Sequence, residues 1–474
     1  MRFRFSTVML TLAAVLSLSA AAQAGPYYYL TDLGFIDTGT YANAYGMNNN
    51  GDVVGRAKIN TTENRYYAYL YTQGKMYNLG YLTGASLSTS MSEAVAINDD
   101  GQITGYSRYT PDVGSSTTHA FLYEGWEIDE LGNFVAGTMN DLDVLTYGGV
   151  VGTASKGYGI NGNGDVVGFS QVSGRGRGFL KEYGEAMVDI GMFPGASAST
   201  SGNAINDNGV ITGQCPNGTY VHAFLKNPGE DMVSLGALSE TGSSYGNAIN
   251  DDNLVAGYST GDPNAPESSD KRAFLWSAED GMISLGTLGT GDESIAYGIN
   301  ADGDVVGYSN TNTYKDNRAF IYTDGTLVNL NERIHPSLGW TLSQAYDIND
   351  NGQICGYGNN GISANASFIL DPAIPGDANL DKSVNLADLG TLIDNYGATA
   401  GATWWTGDFN DDGAVNLADL GTLIDNYGNT SELRTEGYRM LAAAGIMTVP
   451  EPSSLVLLVF GFAGALAYFW KKRS

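Results

Sequence analysis

The sequence predicts an all-β protein: a seven-bladed β-propeller closed by its own N-terminal strand, followed by a small α-helical module and a C-terminal hydrophobic helix. Three observations predict it. One phrase recurs seven times at blade-sized intervals, a short apolar strand follows each copy, and the last copy lacks a strand that the start of the chain can supply.

The phrase reads AYGMNNNGDVVG at 44, AVAINDDGQITG at 94, GYGINGNGDVVG at 157, GNAINDNGVITG at 202, GNAINDDNLVAG at 246, AYGINADGDVVG at 296 and AYDINDNGQICG at 345. Measured on the shared Asn48, Asn98, Asn161, Asn206, Asn250, Asn300 and Asn349, the intervals are 50, 63, 45, 44, 50 and 49 residues. A repeat of this length is one supersecondary unit that buries its apolar faces against its neighbours. Asn, Asp and Gly clustered between apolar pairs supply turn residues that tolerate positive φ, so each phrase reads as a hairpin.

A second signal follows, as in Ala68-Tyr-Leu-Tyr, Ala120-Phe-Leu-Tyr, Ala273-Phe-Leu-Trp and Ser367-Phe-Ile-Leu, and a third closes most units, as in Tyr77-Asn-Leu-Gly and Val233-Ser-Leu-Gly. Two hairpins give four strands per unit. The seventh unit stops after Leu370, while Tyr27 to Gly34 offers an unassigned strand. Pairing the two removes an open sheet edge. The propeller is therefore expected over 25–372.

The units resemble the HAF repeat of bacterial extracellular proteins, on His119-Ala120-Phe121 and His222-Ala223-Phe224. That family has no well-defined activity. The His position holds Tyr67, Arg177, Arg272 and Arg318 in other units, and is expected to face solvent.

Residues 1–24 run from Arg2 and Arg4 through an apolar stretch to Ala22-Gln23-Ala24, the pattern of a secretory signal peptide. The apolar stretch is shorter than the about 20 residues a membrane span needs. Near the other end, after a linker at 431–448, the Pro450-Glu451-Pro452 motif, the apolar run Leu455 to Trp470 and the basic tail Lys471-Lys472-Arg473 make 449–474 resemble the PEP-CTERM sorting signal. The resemblance implies handling by exosortase at the inner membrane, a cell-surface or extracellular destination, and a transmembrane helix that is either cleaved off or kept as an anchor.

The chain is turn-rich, with 64 Gly, yet 43% hydrophobic, which describes an ordered protein. A net charge of -28 argues against nucleic acid and anionic lipid as partners and favours cations. Cys215 and Cys355 fall in different repeats and are expected to be unpaired core residues.

Over 375–430 two segments, GDANLDKSVNLADLGTLIDNYG and GDFNDDGAVNLADLGTLIDNYG, share identical second halves. Oxygen-bearing side chains at loop positions 1, 3, 5, 9 and 12, with a carbonyl at 7, can surround a calcium ion. These are Asp377, Asn379, Asp381, Asn385, Asp388 with Ser383, and Asp408, Asn410, Asp412, Asn416, Asp419 with Ala414. Two calcium ions are thus expected. Position 12 is Asp where an ordinary EF-hand has Glu, and one helix follows each loop, around 386–396 and 417–427, so the pair resembles type I dockerin. The resemblance implies a cohesin-like or other surface protein as partner. Leu386-Ala387 and Leu417-Ala418 stand where cellulosomal dockerins are commonly polar, which departs from that family. Lys382 stands at position 6, where the second loop has Gly413, and makes the first site the weaker. Leu389, Leu392, Ile393 and Tyr396, with Leu420, Leu423, Ile424 and Tyr427, are expected to form facing apolar stripes.

Two functions stay open. One is a non-catalytic binding scaffold for an extracellular polysaccharide, in which some of Trp126, Trp340, Trp404, Trp405 and the 30 Tyr would stack on sugar rings, most of these aromatics being expected to pack within strands. The other is a polysaccharide hydrolase or lyase, needing paired carboxylates. No HExxH, GxSxG or phosphate loop occurs. The place for a catalytic site is the channel mouth, beside the insertion at 133–152 with Asp141 and Asp143.

Overall fold

The computed structural model describes residues 26–427, apart from 62–64, 83–90, 110–116, 197–198, 266, 268 and 313–315. The signal peptide, the linker at 431–448 and the sorting segment at 449–474 lie outside the described residues. Contacts group the chain into two compact units, divided after Pro372.

The first unit holds seven four-stranded antiparallel sheets. Their first strands are Ala42–Met47, Ser92–Ile97, Ala154–Ile160, Ser201–Ile205, Ser244–Ile249, Ser294–Ile299 and Thr341–Ile348. Each touches the next, and the seventh touches the first, so they encircle a central channel. This is a seven-bladed β-propeller. The seventh sheet runs Thr341–Ile348, Ile354–Asn359, Ala366–Pro372 and then Tyr28–Asp32, with Tyr28 opposite Pro372 and Asp32 opposite Phe368.

The repeat residues explain the blade. Tyr69, Phe121, Phe179, Phe224, Phe274, Phe320 and Phe368 stand at one position of the third strand and are fully buried between sheets, among the largest groups in their cores. The glycine of each VVG-type triplet opposes a bulge in the first strand, between Ala44 and Gly46 in the first blade. A Cβ on Gly55 would lie 1.9 Å from the Asn43 carbonyl oxygen, and one on Gly356 2.1 Å from that of Gln344. Only a residue without Cβ fits there. Cys215 and Cys355 are buried and unpaired.

Two expectations need correction. The His position does not face solvent: His119, Tyr67 and Arg272 are buried, because the next blade covers the third strand there. The insertion does not border the channel. Its Thr138–Asp141 is the fourth strand of the second blade, farthest from the axis, flanked by the small hairpins Glu127–Ile128 with Phe134–Val135 and Thr146–Tyr147 with Val150–Val151. Three of the four tryptophans singled out in the sequence pack against neighbours, as expected of most of the aromatics. Trp126 donates to the Gly101 carbonyl at 2.6 Å, Trp340 lies edge-on to Phe368, and Trp404 is buried against Phe409.

The second unit contains α1 (Leu386–Asn395) and α2 (Leu417–Asn426). Asn385 and Asn416 cap them, each in a reciprocal box with Asp388 or Asp419. Both helices end one residue earlier than expected, where Tyr396 and Tyr427 turn to extended backbone. The apolar stripes are also narrower than expected. Leu392, Leu420 and Leu423 are buried, whereas Ile393, Tyr396 and Tyr427 are exposed, since two short helices cover only one flank of each other.

Candidate functional site: the channel and the paired loops

The first strands contribute one residue each to a ring around the channel: Tyr45, Val95, Tyr158, Asn203, Asn247, Tyr297 and Tyr346. All are half-buried. They occupy the same place in each phrase, three before the shared asparagine, so the bulged first strand aims this position inward. The cavity they surround measures about 840 Å³, enough for a small ligand.

The ring is uneven. Tyr297 stacks on Tyr346 at 4.5 Å and Tyr346 meets Tyr45 edge-on at 5.0 Å, so the sixth, seventh and first blades form a continuous aromatic wall. Burial, the largest cause, pushes these three phenols well above their usual range, so they are neutral. Opposite, the fourth and fifth blades supply amides. Asn203 Nδ2 donates to Gln214 Oε1 and the Gly246 carbonyl, and its Oδ1 accepts from the Ser201 hydroxyl. Asn247 Nδ2 donates to the Ala296 carbonyl.

Three charged side chains line the cavity: Glu93, Lys156 and Asp347. Glu93 pairs with Arg56 at 2.7 Å. Asp347 accepts backbone N–H groups on both oxygens, from Met47 at 2.9 Å and Ile348 at 3.0 Å. Burial deep in the ring raises its carboxyl to about 7, against those two hydrogen bonds. The other repeats hold Gly46, Ala96, Gly159, Ala204, Ala248 and Gly298 there. Small residues suit this crowded place, where a Cβ on Gly298 would lie 2.9 Å from the Asp347 Cα.

Sequence reasoning assigned the shared asparagines to turns alone, and the structure gives them a second task. Each Oδ1 accepts the backbone N–H four residues on, as from Asp52 to Asn48 at 2.9 Å and Gln353 to Asn349 at 2.9 Å. In six of the seven, Nδ2 also donates to the carbonyl of the next blade's asparagine, for example Asn48 to Asn98 at 3.1 Å and Asn250 to Asn300 at 3.0 Å. The signal was present in the sequence: Asp would serve the turn but cannot donate, whereas Asn carries its acceptor and its donor on two separate atoms that reach two partners at once.

In the second unit the loop residues converge in pairs. Asp377, Asp388, Asp408 and Asp419 are fully buried. Burial first, and then the neighbouring carboxylates Asp377 and Asp419, raise the carboxyls of Asp388 and Asp408. Positions 1 and 12 therefore face each other in both loops. In the second loop, Asn410 and Asn416 both reach the Asp412 carboxylate, at 3.1 and 3.3 Å, and in the first, Asn385 reaches the Ser383 carbonyl at 3.3 Å. Among the described residues no three His, Cys, Asp or Glu side chains form a metal-holding group by themselves. An ion in either loop would need the Asn oxygens and main-chain carbonyls as well, and these stand close to the acidic pairs. The donor set suits a hard, oxygen-seeking cation. Lys382 and Gly413 both adopt positive φ, 71° and 80°.

Each loop rests on the other loop's helix. A Cβ on Gly376 would lie 3.0 Å from the Leu423 Cα, one on Gly407 2.8 Å from the Leu392 Cα, and Trp404 Nε1 donates to the Asp377 carbonyl at 2.6 Å.

Of the insertion's acids, Asp141 bonds His119 Nδ1 at 2.9 Å and receives the Asp143 N–H at 2.7 Å. His222, on another blade, bonds Ser234 at 2.9 Å. The two histidines are not brought together.

Fold and sites together define a propeller with an aromatic channel, joined to a paired acidic loop–helix unit. Residues 448–473 match the PEP-CTERM protein-sorting motif, which implies export, membrane-associated sorting and exosortase processing. No curated protein matches the chain. Among solved structures it is similar to a streptogramin B lyase, at 9% identity over 73% of this chain and 98% of that one, with a TM-score of 0.42. It is also similar to an oligogalacturonate lyase from Vibrio parahaemolyticus, at 11% identity over 72% and 93%, with a TM-score of 0.43. A gluconolactonase from Xanthomonas campestris gives 12% identity over 75% and 94%, with a TM-score of 0.32. None of these likenesses bears on activity. Among the described residues no helix is long and apolar enough to cross a membrane.

Proposed function

We propose that this is an exported cell-surface or extracellular-matrix protein whose propeller is a non-catalytic, glycan-binding scaffold and whose C-terminal unit is a calcium-dependent docking module. The channel ring carries the reading. Tyr45, Tyr297 and Tyr346 offer apolar faces on which a sugar ring stacks, and the amides opposite order its hydroxyls. The expected partner is an extracellular polysaccharide or a short fragment of one. The hydrolase or lyase reading finds less support: of the two carboxylates lining the cavity, Glu93 is held by Arg56 and Asp347 by backbone N–H groups.

On this reading the seven units are HAF repeats, and the pairing of Tyr28–Asp32 with Ala366–Pro372 is the closure of the ring. The loops are dockerin-like, each taking one calcium through its own six of the positions named above. The ion would neutralise the facing acidic pair and tie each loop to its helix. The docking partner is a cohesin-like or other surface protein, met by the exposed Leu386 and Leu417.

Glycan-array binding of the full chain tests the channel. Binding that is lost in Tyr346→Ala is expected, and silence toward every glycan would remove the reading. Calcium titration should find two sites, both absent from the Asp388→Ala, Asp419→Ala double variant. Calcium binding retained by that variant would overturn the ligand assignment.

A further inference from the structure

We infer that the channel ligand is a short oligosaccharide carrying one carboxylated sugar, and that Lys156 selects it by charge. This rests on the channel being a glycan site. Of the three charged groups in its wall, two are already satisfied, Glu93 by Arg56 and Asp347 by main-chain donors. Lys156 is different. Its ammonium lies over the Tyr106 ring, 4.2 Å from the centroid, and no described carboxylate pairs with it. A cation on an aromatic face inside a partly enclosed cavity keeps its charge available, and attraction to an anion is stronger there than in open water.

The surroundings suit an acidic sugar. Lys156 belongs to the same strand as Tyr158 and stands beside the blade that carries Asn203 and Gln214. With Asn203 and Gln214 Oε1 engaged as above, Gln214 Nε2 and Asn247 Oδ1 remain for hydroxyls. A uronate ring stacked on the aromatic wall would meet amides and one ammonium on the far side. The chain's net charge of -28 repels a long polyanion, which favours a short chain with a single acidic residue.

The test is calorimetry of the full chain with a disaccharide ending in glucuronic acid and with its carboxyl-reduced, neutral counterpart. The acid should bind at least about tenfold more tightly, as expected of one charge-assisted contact. Lys156→Met should remove the difference by weakening the acid's binding far more than the neutral sugar's, and Lys156→Arg should restore it. Equal affinities in the wild-type chain, or a preference that survives Lys156→Met, would overturn the assignment of charge selection alone. Binding of neither sugar would overturn the glycan site and this inference with it.

Discussion

The side-chain amide of Asn349 donates to the backbone carbonyl of Asn48 at 2.9 Å, across 301 positions of the chain. It joins the seventh phrase to the first by the same bond that links Asn48 to Asn98 and Asn98 to Asn161. The joint between first and last blades thus uses the hydrogen bond that also links five other pairs of neighbouring blades.

Asn349→Ala removes both the turn acceptor and the belt donor, leaving the buried Asn48 carbonyl without this partner. A loss of about 1–3 kcal/mol in urea unfolding is expected. Asn349→Asp keeps the acceptor and loses the donor, so it should fall between. If Asn349→Asp matches wild type, the belt contributes nothing to stability.

Gly356→Ala places a methyl 2.1 Å from the Gln344 carbonyl oxygen. Overpacking of this kind should cost about 1–3 kcal/mol. Gly390→Ala is the contrast: it lies within α1 with open space around its Cβ position. There the change should stabilise the helix by about 0.5–1 kcal/mol. The two melting temperatures should move in opposite directions.

Asp347 gives a pH dependence of definite sign. Its folded carboxyl titrates at about 7, above the unfolded value of 3.8. The proton therefore favours the folded state, and the associated stability is full below the unfolded value and lost as pH rises through about 7. Water in the channel moderates the effect, so about 1–2 kcal/mol is expected. In Asp347→Gly, which restores the residue found at Gly298, stability relative to wild type should improve between pH 5 and pH 8. A constant difference would show that Asp347 titrates normally.

Lys382 holds φ at 71° where Gly413 holds 80°. A side chain costs about 1 kcal/mol in that region. On the calcium reading, Lys382→Gly should tighten the first site several-fold and leave the second unchanged, as read by titration with the two sites resolved. An unaltered first site would mean that the loop backbone is already satisfied.

The propeller was legible because Asn, Gly and Phe recur at fixed offsets, and each serves the blade in a way that other residues perform poorly. The channel was not. Tyr45, Val95 and Asn203 share a position but no chemistry, so their common inward direction comes from the bulge, which the sequence does not announce. The tryptophans were expected mostly to pack, but their partners, such as Phe368 and Phe409, emerge only when the strands and loops are placed together. Asp141 and Asp143 looked catalytic because the insertion is long. Its residues instead provide the second blade with its outer strand.

The pairing of Tyr28 with Pro372 also orders events in time. The strand made first has its partner in the repeat made last. Until that repeat arrives, the growing ring carries a gap and two bare edges. Slow arrival lengthens the interval in which another molecule can fill that gap, so yield of the correctly assembled protein should depend on the speed of that arrival as well as on stability.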